Sequence, residues 1–424
     1  MTDATARRPS AGTLIVGAGQ AGLQLATSLR EMQHTGRITL VSGEARLPYQ
    51  RPPLSKAYLA GTAEEAELAL RGEDFYEAND IDVLRGEWIE NITLTEGGNG
   101  AGEAKTKNGL TLAFDKLALT VGGHPRRLQA PGSDLAGIHY LRDVDDAANL
   151  RRDLDAAAHV AVVGGGFVGL EIAAAATAKG KKVTVLEALD RLMARVVAPE
   201  MSEFYAAAHR RRGTHIETGA AVTSFRGDGR VSGVELADGR TIDAEVVVVG
   251  IGLIPHTGLA QQLGIASDRG IEVDQHGRTR LPGVVAAGDC AVVAHPEHGQ
   301  VRLESVPNAI ALAKAAAAAL LGREPVEPTL PWFWSDQADL KLQMAGLSIG
   351  YDQVVLRGDP DSEQFSALYY RDGQLISVEA VNSPRDYMAV RRVLEMRRNI
   401  PVDAAGDAGI PLKTHLQKNA AAVK

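Results

Sequence analysis

The sequence contains a single cysteine, Cys290, among its 424 residues. One thiol cannot form a disulfide within the chain, which is typical of proteins kept in a reducing compartment. It also excludes catalysis through two neighbouring redox-active cysteines of the same chain, such as a CxxC motif. Cys290 itself is predicted to be a small buried residue.

Long apolar runs are missing as well. The stretch 246–255 is too short to span a membrane, and the alanine-rich stretch 309–321 is interrupted by Lys314, whereas a spanning helix needs about 20 apolar residues. The N-terminus has no basic stretch followed by an apolar core, so no secretory signal is predicted. We therefore expect a cytoplasmic protein that does not contact membranes.

Charge of one sign is not concentrated anywhere in the chain. The net charge is −8 with acidic and basic residues interspersed, so no nucleic-acid partner is expected. The densest basic cluster, Arg210 to Arg212, is predicted to be a solvated helix end. The 11 histidines are scattered without a ligand spacing such as HExxH, and no metal site is predicted.

Glycine, in contrast, is abundant and recurs in two similar turns. Each turn follows a short apolar strand, 13–16 or 159–163, and precedes a helical stretch, which predicts two β-turn-α-β units. In such a unit the first glycine permits a tight turn, the second lets the backbone approach a pyrophosphate, and the third lets helix and strand pack closely. The helix N-terminus then stabilises the phosphates. The glycines are Gly17, Gly19 and Gly22 in the first turn and Gly164, Gly166 and Gly169 in the second.

An acidic residue follows the second strand of each unit. Glu187 ends the strand 183–186, where a carboxylate accepts hydrogen bonds from the adenine-ribose hydroxyls and repels a 2′-phosphate, so NADH is favoured over NADPH. Arg191 and Arg195 lie close enough in sequence to offset this preference. In the first unit the nearest acid is Glu44, just beyond the strand end. Two such turns imply two dinucleotides, or one dinucleotide and one decayed site.

The composition changes from Pro325 onwards, where prolines cluster and two tryptophans, Trp332 and Trp334, follow. This change predicts a linker and then a separate C-terminal α+β domain. The fold class is therefore α/β, with two Rossmann-like dinucleotide-binding domains and a C-terminal α+β domain.

Four stretches of the chain resemble the oxygenase-coupled ferredoxin reductases, which serve haem-thiolate monooxygenases. They are PYQRPPLSK at 48–56, AAGD at 286–289, ESVPNA at 304–309 and PWFWSDQ at 331–337. They stand in the family's order, and the resemblance covers essentially the whole chain. It implies FAD and NADH as cofactors, a 2Fe–2S ferredoxin as electron acceptor, and a monomer, as relatives often are.

The resemblance also implies a glutathione-reductase-like architecture. An FAD-binding domain at 1–114 and 247–325 would enclose an NAD-binding domain at 115–246, and a C-terminal domain would occupy 326–424. The first glycine-rich turn would then belong to FAD and the second to NAD. Ferredoxins are usually acidic, so the acceptor surface is expected to be basic, with Lys413 and Lys418 as candidates.

Candidate site residues follow from the turns and the resemblance together. The FAD-binding candidates are Gly17, Gly19, Ala21, Gly22, Glu44, Lys56, Ile89, Arg142, Asp289, Val306 and Trp334. The NAD-binding candidates are Gly164, Gly166, Gly169, Glu187 and Gly252.

Some positions depart from the family's pattern. Gly43 stands where many relatives carry an acid, which leaves Glu44 as the ribose ligand, and His256 stands where asparagine is usual. The usual Ala-Thr-Gly near the domain crossover is Thr-Val-Gly at 120–122, and Leu312 replaces a glutamine. None of these changes removes a charge that the chemistry needs.

Two charged residues are the catalytic candidates. The resemblance places Lys56 beside flavin N5, where a cation stabilises the negative charge that accumulates on reduction. Glu171, two residues past Gly169 in the first turn of the helix, would pair with Lys56 across the domains and approach the nicotinamide. Taken alone, the residues also fit a surface lysine and a glutamate favoured by the helix dipole.

Two other flavoprotein functions compete with the reductase. A water-forming NADH oxidase or a peroxidase needs a reactive cysteine after the first-domain loop, where this chain has Ser55 and Lys56. A redox-sensing flavoprotein resembling apoptosis-inducing factor would form a long-lived complex with NAD and reduce acceptors slowly. Without a reactive thiol pair, electrons must leave to an external acceptor.

Overall fold

The computed structural model describes residues 10–416. The chain forms two compact units within this range. Unit 1 contains residues 10–50, 66–124 and 254–329, and unit 2 contains residues 51–65, 125–253 and 330–416.

The regular elements alternate between strands and helices along most of the chain. The strands are β1 (Thr13–Val16), β2 (Ile38–Ser42), β3 (Ile81–Arg85), β4 (Ile89–Leu94), β5 (Gly102–Thr106), β6 (Thr111–Phe114), β7 (Lys116–Leu119), β8 (Gly123–Pro125), β9 (Ile138–His139), β10 (His159–Val163), β11 (Lys182–Glu187), β12 (His215–Thr218), β13 (Val222–Asp228), β14 (Arg230–Leu236), β15 (Thr241–Asp243), β16 (Val246–Val249), β17 (Leu253–Pro255), β18 (Ala266–Ser267), β19 (Gly270–Val273), β20 (Val284–Ala286), β21 (Ala291–His295), β22 (Gly299–Val301), β23 (Trp332–Gln337), β24 (Leu340–Gly346), β25 (Gln353–Asp359), β26 (Gln364–Arg371) and β27 (Gln374–Val381). The α-helices are α1 (Gln20–Glu31), α2 (Ala57–Ala60), α3 (Glu73–Ala78), α4 (Val144–Ala156), α5 (Phe167–Ala178), α6 (Pro199–Arg211), α7 (Gly258–Gln262), α8 (Val306–Leu320), α9 (Pro384–Glu395) and α10 (Val402–Gly406). Short 3₁₀ turns lie at Pro52–Ser55, Glu65–Leu68, Pro360–Ser362 and Leu412–Leu416.

Unit 1 is built on a five-stranded parallel sheet in the order β20-β7-β1-β2-β3. Its central strand β1, with the sequence TLIV, is buried along its whole length. Such continuous apolar strands are typical of parallel sheets that are covered on both faces. The sheet is completed by β20, which comes from a segment more than 100 residues further along the chain than β7.

The core of unit 1 is apolar. Helices α1 and α8 pack against each other, and Leu25, Leu29 and Ala313 of these helices are fully buried in this core. Cys290 belongs to the same core and is buried, as the sequence predicts.

Unit 2 repeats the parallel arrangement in its first half. Its sheet has the order β12-β11-β10-β16-β9, and each neighbouring pair is parallel. The four valines of β16 are all buried, so this apolar run forms a core strand. A three-stranded antiparallel sheet, β13-β14-β15, belongs to the same unit.

The C-terminal part of unit 2 is an antiparallel sheet in the order β23-β24-β27-β26-β25, with α9 packed against it through Tyr387, Val390 and Val393. The predicted fold class, two Rossmann-like domains followed by an α+β domain, is confirmed.

The segment 51–65 belongs to unit 2 although the neighbouring residues belong to unit 1. Leu59 in α2 explains this, because it is fully buried in one core with Leu150 and Leu154 of α4. Elsewhere the units change over at residues 124, 253 and 329. The domain boundaries inferred from the resemblance stay predictions.

The arginine cluster at the end of α6 is less solvated than expected. Arg212 is only 23% exposed, and it binds Glu363 and Asp339 of the C-terminal sheet region. Arg211 also binds Glu363, at 2.8 Å. The prediction of a solvated helix end is therefore wrong for Arg212, because both acids come from a distant part of the chain.

Within residues 10–416, no helix combines the length and apolar character that crossing a membrane requires.

Candidate functional site

The first glycine-rich turn connects β1 to α1 and needs glycine at specific points. Gly17 has a φ of +106°, a backbone conformation that favours glycine. A Cβ on Gly17 would collide with the Thr120 carbonyl, and a Cβ on Gly22 would collide with the Gly17 carbonyl. The Thr120 hydroxyl donates a hydrogen bond to this same Gly17 oxygen at 2.7 Å. The turn is therefore closely packed against β7 and α1.

The middle of the same turn is open. Gly19 is the N-cap of α1, and a Cβ placed on it would meet no atom within 4 Å. Among the described residues no side chain caps the helix, so its first backbone N–H groups point outwards at the positive end of the helix dipole. An open backbone turn at a helix N-terminus fits the pyrophosphate of FAD. Ala21 lies in this first turn of α1.

The returning chain approaches this turn within unit 1. Gly288 has a φ of +84°, and a Cβ on it would lie 3.0 Å from the Ala21 Cβ. Asp289 follows directly, so the β20 segment brings it to the N-terminus of α1. Val306 is the first residue of α8, which packs on α1, and Ile89 at the start of β4 is buried.

Glu44 lies just beyond the end of β2 and is held by its neighbours. The Tyr49 hydroxyl donates to its carboxylate at 2.5 Å, and the Glu44 backbone N–H donates to the Ser42 hydroxyl at 3.2 Å. The candidate ribose ligand of unit 1 is thus oriented by a tyrosine that was not among the candidates from the sequence. Tyr49 lies in the 48–56 stretch that resembles the reductase family, and this resemblance could have pointed to it.

The second glycine-rich turn, in unit 2, has the same geometry. Gly164 has a φ of +107°, and a Cβ on it would lie 2.5 Å from the Gly250 carbonyl oxygen. Gly166 caps α5 and is open, and a Cβ on Gly169 would collide with the Gly164 carbonyl. Gly252, with a φ of +113°, is open except for the Arg195 guanidinium, which lies 4.0 Å from the position that a Cβ would take.

Glu187, the acidic residue of unit 2, is hydrogen-bonded to the backbone of the second turn. The Glu187 carboxylate accepts hydrogen bonds from the Gly165 N–H at 2.7 Å and from the Leu189 N–H at 2.9 Å. Arg191, one of the two cations that could favour a 2′-phosphate, donates to the Val197 and Ala194 carbonyls. Its guanidinium therefore stabilises the loop.

Lys56 and Glu171 form an ion pair in unit 2, with 2.6 Å between Nζ and Oε2. Glu171 is 4% exposed and Lys56 is 20% exposed, so the pair is largely desolvated. The Ser55 hydroxyl also donates to Glu171 Oε2, at 2.6 Å. These contacts fix the position of the Glu171 carboxylate, which in turn fixes the position of the Lys56 ammonium.

A chain of hydrogen bonds continues from Glu171 into the C-terminal sheet. The Ser335 hydroxyl donates to Glu171 Oε1 at 2.7 Å, and the Gln337 amide donates to Ser335 at 3.3 Å. His209 of α6 lies 2.8 Å from the Gln337 amide oxygen. Burial lowers the pKa of His209, so it is neutral at pH 7. This series of hydrogen bonds was not predicted from the sequence. Ser335 and Gln337 lie in the 331–337 stretch, but no local pattern marks His209.

The remaining FAD candidates, Arg142 and Trp334, lie in unit 2. The Arg142 carbonyl accepts a hydrogen bond from Arg51 at 2.6 Å, and its N–H donates to Asp146 at 2.9 Å. Trp334 packs beside Trp332 with 5.5 Å between ring centroids. Lys413 lies in the last 3₁₀ turn, and Lys418 lies outside the described residues.

The thiol of Cys290 has no redox role in this arrangement. Its side chain is fully buried, and burial raises the pKa of the thiol to about 11. Since the thiolate is the reactive species, this residue is inert at neutral pH. Between residues 10 and 416 no cluster of His, Cys, Asp or Glu has the geometry of a metal site.

Two family models match the chain. Residues 12–313 match the pyridine nucleotide-disulphide oxidoreductase model, and residues 332–416 match the reductase C-terminal model. The chain belongs to the pyridine nucleotide-disulphide oxidoreductase family, and it is an oxidoreductase that uses FAD and NAD(H).

The chain is also similar to proteins that are named as reductases. Rhodocoxin reductase of Rhodococcus erythropolis is 40% identical over 408 residues, covering 96% of this chain and 94% of that protein. Putidaredoxin reductase of Pseudomonas putida is 38% identical, covering 94% of this chain and 95% of that protein.

Solved structures agree with these relatives. The covalent putidaredoxin reductase–putidaredoxin complex matches with a TM-score of 0.91 and 36% identity, covering 96% of this chain and 99% of that chain. A ferredoxin reductase from Rhodopseudomonas palustris matches with a TM-score of 0.90 and 39% identity over the same shares.

Proposed function

We propose that the protein transfers electrons from NADH through FAD to a 2Fe–2S ferredoxin, which supplies a cytochrome monooxygenase or another oxygenase. The observation that carries this proposal is the combination of two open dinucleotide turns with a single inert thiol. Electrons that enter from a nicotinamide have no cysteine relay to pass through, so an external acceptor must take them. The relatives named as reductases of ferredoxin-type partners support the same acceptor.

FAD supplies the chemistry of this step, because it accepts a hydride and releases its two electrons singly. The residues proposed to bind it are the eleven FAD candidates named from the sequence. In unit 1, the uncapped α1 N-terminus would hold the pyrophosphate, and Glu44, oriented by Tyr49, would accept hydrogen bonds from the ribose.

Lys56 and Glu171 are proposed as the catalytic residues. The 2.6 Å ion pair fixes the Lys56 ammonium in one position, and the Ser55 and Ser335 hydroxyls fix Glu171 from two sides. A cation held in place stabilises negative charge that develops during reduction without reorganisation at that moment. Lys56 would provide this charge, and Glu171 would position it.

NADH is the proposed electron donor. Glu187 presents its carboxylate at the end of β11 beside the second turn, and a carboxylate there repels a 2′-phosphate. Because Arg191 is engaged by loop carbonyls, it offers no compensating contact for that phosphate. We also propose a cytoplasmic location, which a buried lone thiol fits.

An anaerobic titration tests the proposal. Purified protein is titrated with NADH while the flavin absorption band is followed, and a 2Fe–2S ferredoxin is then added. Bleaching by NADH followed by rapid recovery with ferredoxin is the expected result. Recovery only on admission of oxygen would instead indicate an NADH oxidase, and a long-lived charge-transfer band would indicate a redox sensor. A preparation without flavin would overturn the assignment to FAD.

A further inference from the structure

Trp88 lies against the end of β2 in unit 1. Its six-membered ring covers Gly43, so that a Cβ on Gly43 would stand 2.7 Å from the indole Cε3 and 3.2 Å from Cζ3. The side chain is nevertheless 51% exposed. A tryptophan that is packed on one side and open on another presents an aromatic face to the solvent.

Backbone hydrogen bonds hold Trp88 in this position. After β3 ends, the Gly86 N–H donates to the Glu44 carbonyl at 3.0 Å and the Glu87 N–H donates to the Ser42 carbonyl at 2.9 Å. The Lys107 N–H donates to the Trp88 carbonyl at 2.8 Å. These bonds fix the backbone that carries the indole beside the end of β2.

Two departures from the family's pattern meet at this indole. One is Gly43, and the other is His256, whose ring packs edge-to-face on Trp88 with 5.5 Å between centroids. The His256 ring is also 4.9 Å from the ring of His124. An acidic side chain at position 43 would occupy the space that the Trp88 ring fills, so the glycine and the indole belong together.

The place of this cluster in the fold identifies what it can bind. In a parallel sheet of this type, the nucleotide lies at the carboxyl ends of the strands, with its pyrophosphate at the first turn and its adenosine beyond the end of the next strand. Gly43 and Glu44 are the first residues beyond β2, which pairs directly with β1. Trp88 therefore stands at the adenosine end of the first dinucleotide site.

We propose that Trp88 stacks on the adenine ring of FAD and replaces, as a source of affinity, the acid that Gly43 lacks. Glu44 takes the ribose hydroxyls, and the indole supplies the base contact. Stacking on an aromatic side chain tolerates any purine, whereas a carboxylate reads the ribose. This inference rests on the proposed function in one respect, that the first turn holds FAD.

The test is reconstitution of flavin-free protein. FAD binding is measured by titration calorimetry and by quenching of flavin fluorescence in the wild type, Trp88→Ala and Trp88→Phe. Trp88→Ala should weaken FAD binding about tenfold or more, as expected for the loss of one stacked base, and Trp88→Phe should recover most of it. FMN, which has no adenosine, should bind all three proteins equally.

A matched control separates stacking from folding. Ile349→Ala truncates an apolar side chain of similar exposure, 49%, in unit 2, and it should bind FAD as the wild type does. Equal FAD affinity in Trp88→Ala and wild type would overturn the stacking role while leaving the reductase proposal intact. Wild-type protein that binds no flavin would overturn the proposed function itself.

A second pair of variants tests the coupling with position 43. Gly43→Asp alone should weaken FAD binding, because the new side chain meets the indole. Gly43→Asp combined with Trp88→Ala should bind FAD more tightly than Trp88→Ala alone, since an acid then has space to reach the ribose. If the losses of FAD affinity in the two single variants simply add in the double variant, the proposed coupling between positions 43 and 88 is contradicted.

Discussion

The two units contain the same glycine-rich turn but bury different kinds of polar residue. Among the described residues, the buried polar side chains of unit 1 are hydroxyls, such as Thr39 and Thr120. Unit 2 buries charged and ionisable side chains. These are Glu171, His209, Arg357 and Glu379, together with the amide of Gln337.

This difference indicates that the two units depend on different physical interactions. Unit 1 depends on close backbone packing around its turn, which does not change with pH. Unit 2 has a similar turn, but it also buries ionisable side chains in α5, α6 and the C-terminal sheet. Variants of the two turns should therefore act through steric fit, and variants of the buried ionisable groups of unit 2 should act through charge.

The largest effect is expected from Gly22→Ala in unit 1. The new methyl group would collide with the Gly17 carbonyl, so the turn must open and FAD binding should weaken about a hundredfold. The flavin content of the purified protein, read from the ratio of flavin to protein absorbance, measures this.

Two glycine variants act as controls for that prediction. Gly72→Ala, where a Cβ would meet no atom within 4 Å, should keep its flavin. Gly169→Ala, the counterpart in unit 2, should keep FAD but raise the KM for NADH. Loss of flavin from all three variants would mean that the fold itself, and not the turn, responds to the added methyl groups.

The next effect is that of Lys56→Met in unit 2. Without the ammonium that Glu171 holds at 2.6 Å, reduction of the flavin by NADH should slow about tenfold or more. Stopped-flow absorbance under anaerobic conditions gives the rate. Lys56→Arg, which keeps a positive charge, should retain part of it. An unchanged rate in Lys56→Met would remove the residue from the mechanism.

Glu379→Gln should make stability less dependent on pH. Burial raises the pKa of Glu379 from 4.5 to about 8, although the Tyr369 hydroxyl donates to it at 2.6 Å. The native state therefore holds a proton that the unfolded state releases above about pH 4.5. The stability that this protonated group contributes is fully present below that pH and is lost as the pH rises through about 8.

Urea unfolding at pH 5 and pH 9 measures the consequence. Glutamine carries no titrating proton, so Glu379→Gln should be more stable than the wild type at pH 9 by on the order of 1 kcal/mol. The two proteins should be similar at pH 5. Glu96→Gln, an exposed carboxylate of unit 1, should show no such pH dependence. The same stability difference at both pH values would argue against a buried, protonated Glu379.

The smallest effect, of opposite sign, is expected from Glu363→Gln. Hydrogen bonds from Arg212 and Arg211 lower the pKa of Glu363 from 4.5 to about 2. Its stabilisation is present above about pH 4.5 and is lost as the pH falls through about 2. The variant should lose about 0.5–1 kcal/mol of unfolding free energy at pH 7 and less at pH 3. A larger loss at pH 3 than at pH 7 would contradict this ion-pair assignment.

The glycine-rich turns could be predicted from the sequence because their geometry excludes other residues. Gly17 and Gly164 have positive φ angles, and Gly22 and Gly169 have no space for a Cβ. Because these constraints are local, they require glycine at defined positions, and such a spacing can be recognised in the sequence. The ion pair of Lys56 with Glu171 was expected from the resemblance, and their catalytic roles stay a prediction.

Other parts of the site had no signal in the sequence. Ser335 and His209 are common residue types whose partners lie far away along the chain, and Ser335 stands 164 positions after Glu171. The contact between Trp88 and Gly43 depends on the placement of two loops after neighbouring strands. Tertiary packing determines such contacts, and they cannot be predicted from the periodicity or the composition of the sequence.

The burial of Cys290 also makes the chain a convenient host for site-specific labels. Its thiol is inaccessible, and its pKa of about 11 keeps it protonated, so maleimide reagents leave the native chain unmodified. A cysteine introduced at one exposed position, such as Met388, would then be the single reactive thiol. A spin label or fluorophore attached there could follow the arrival of an electron-transfer partner without any native cysteine being removed first.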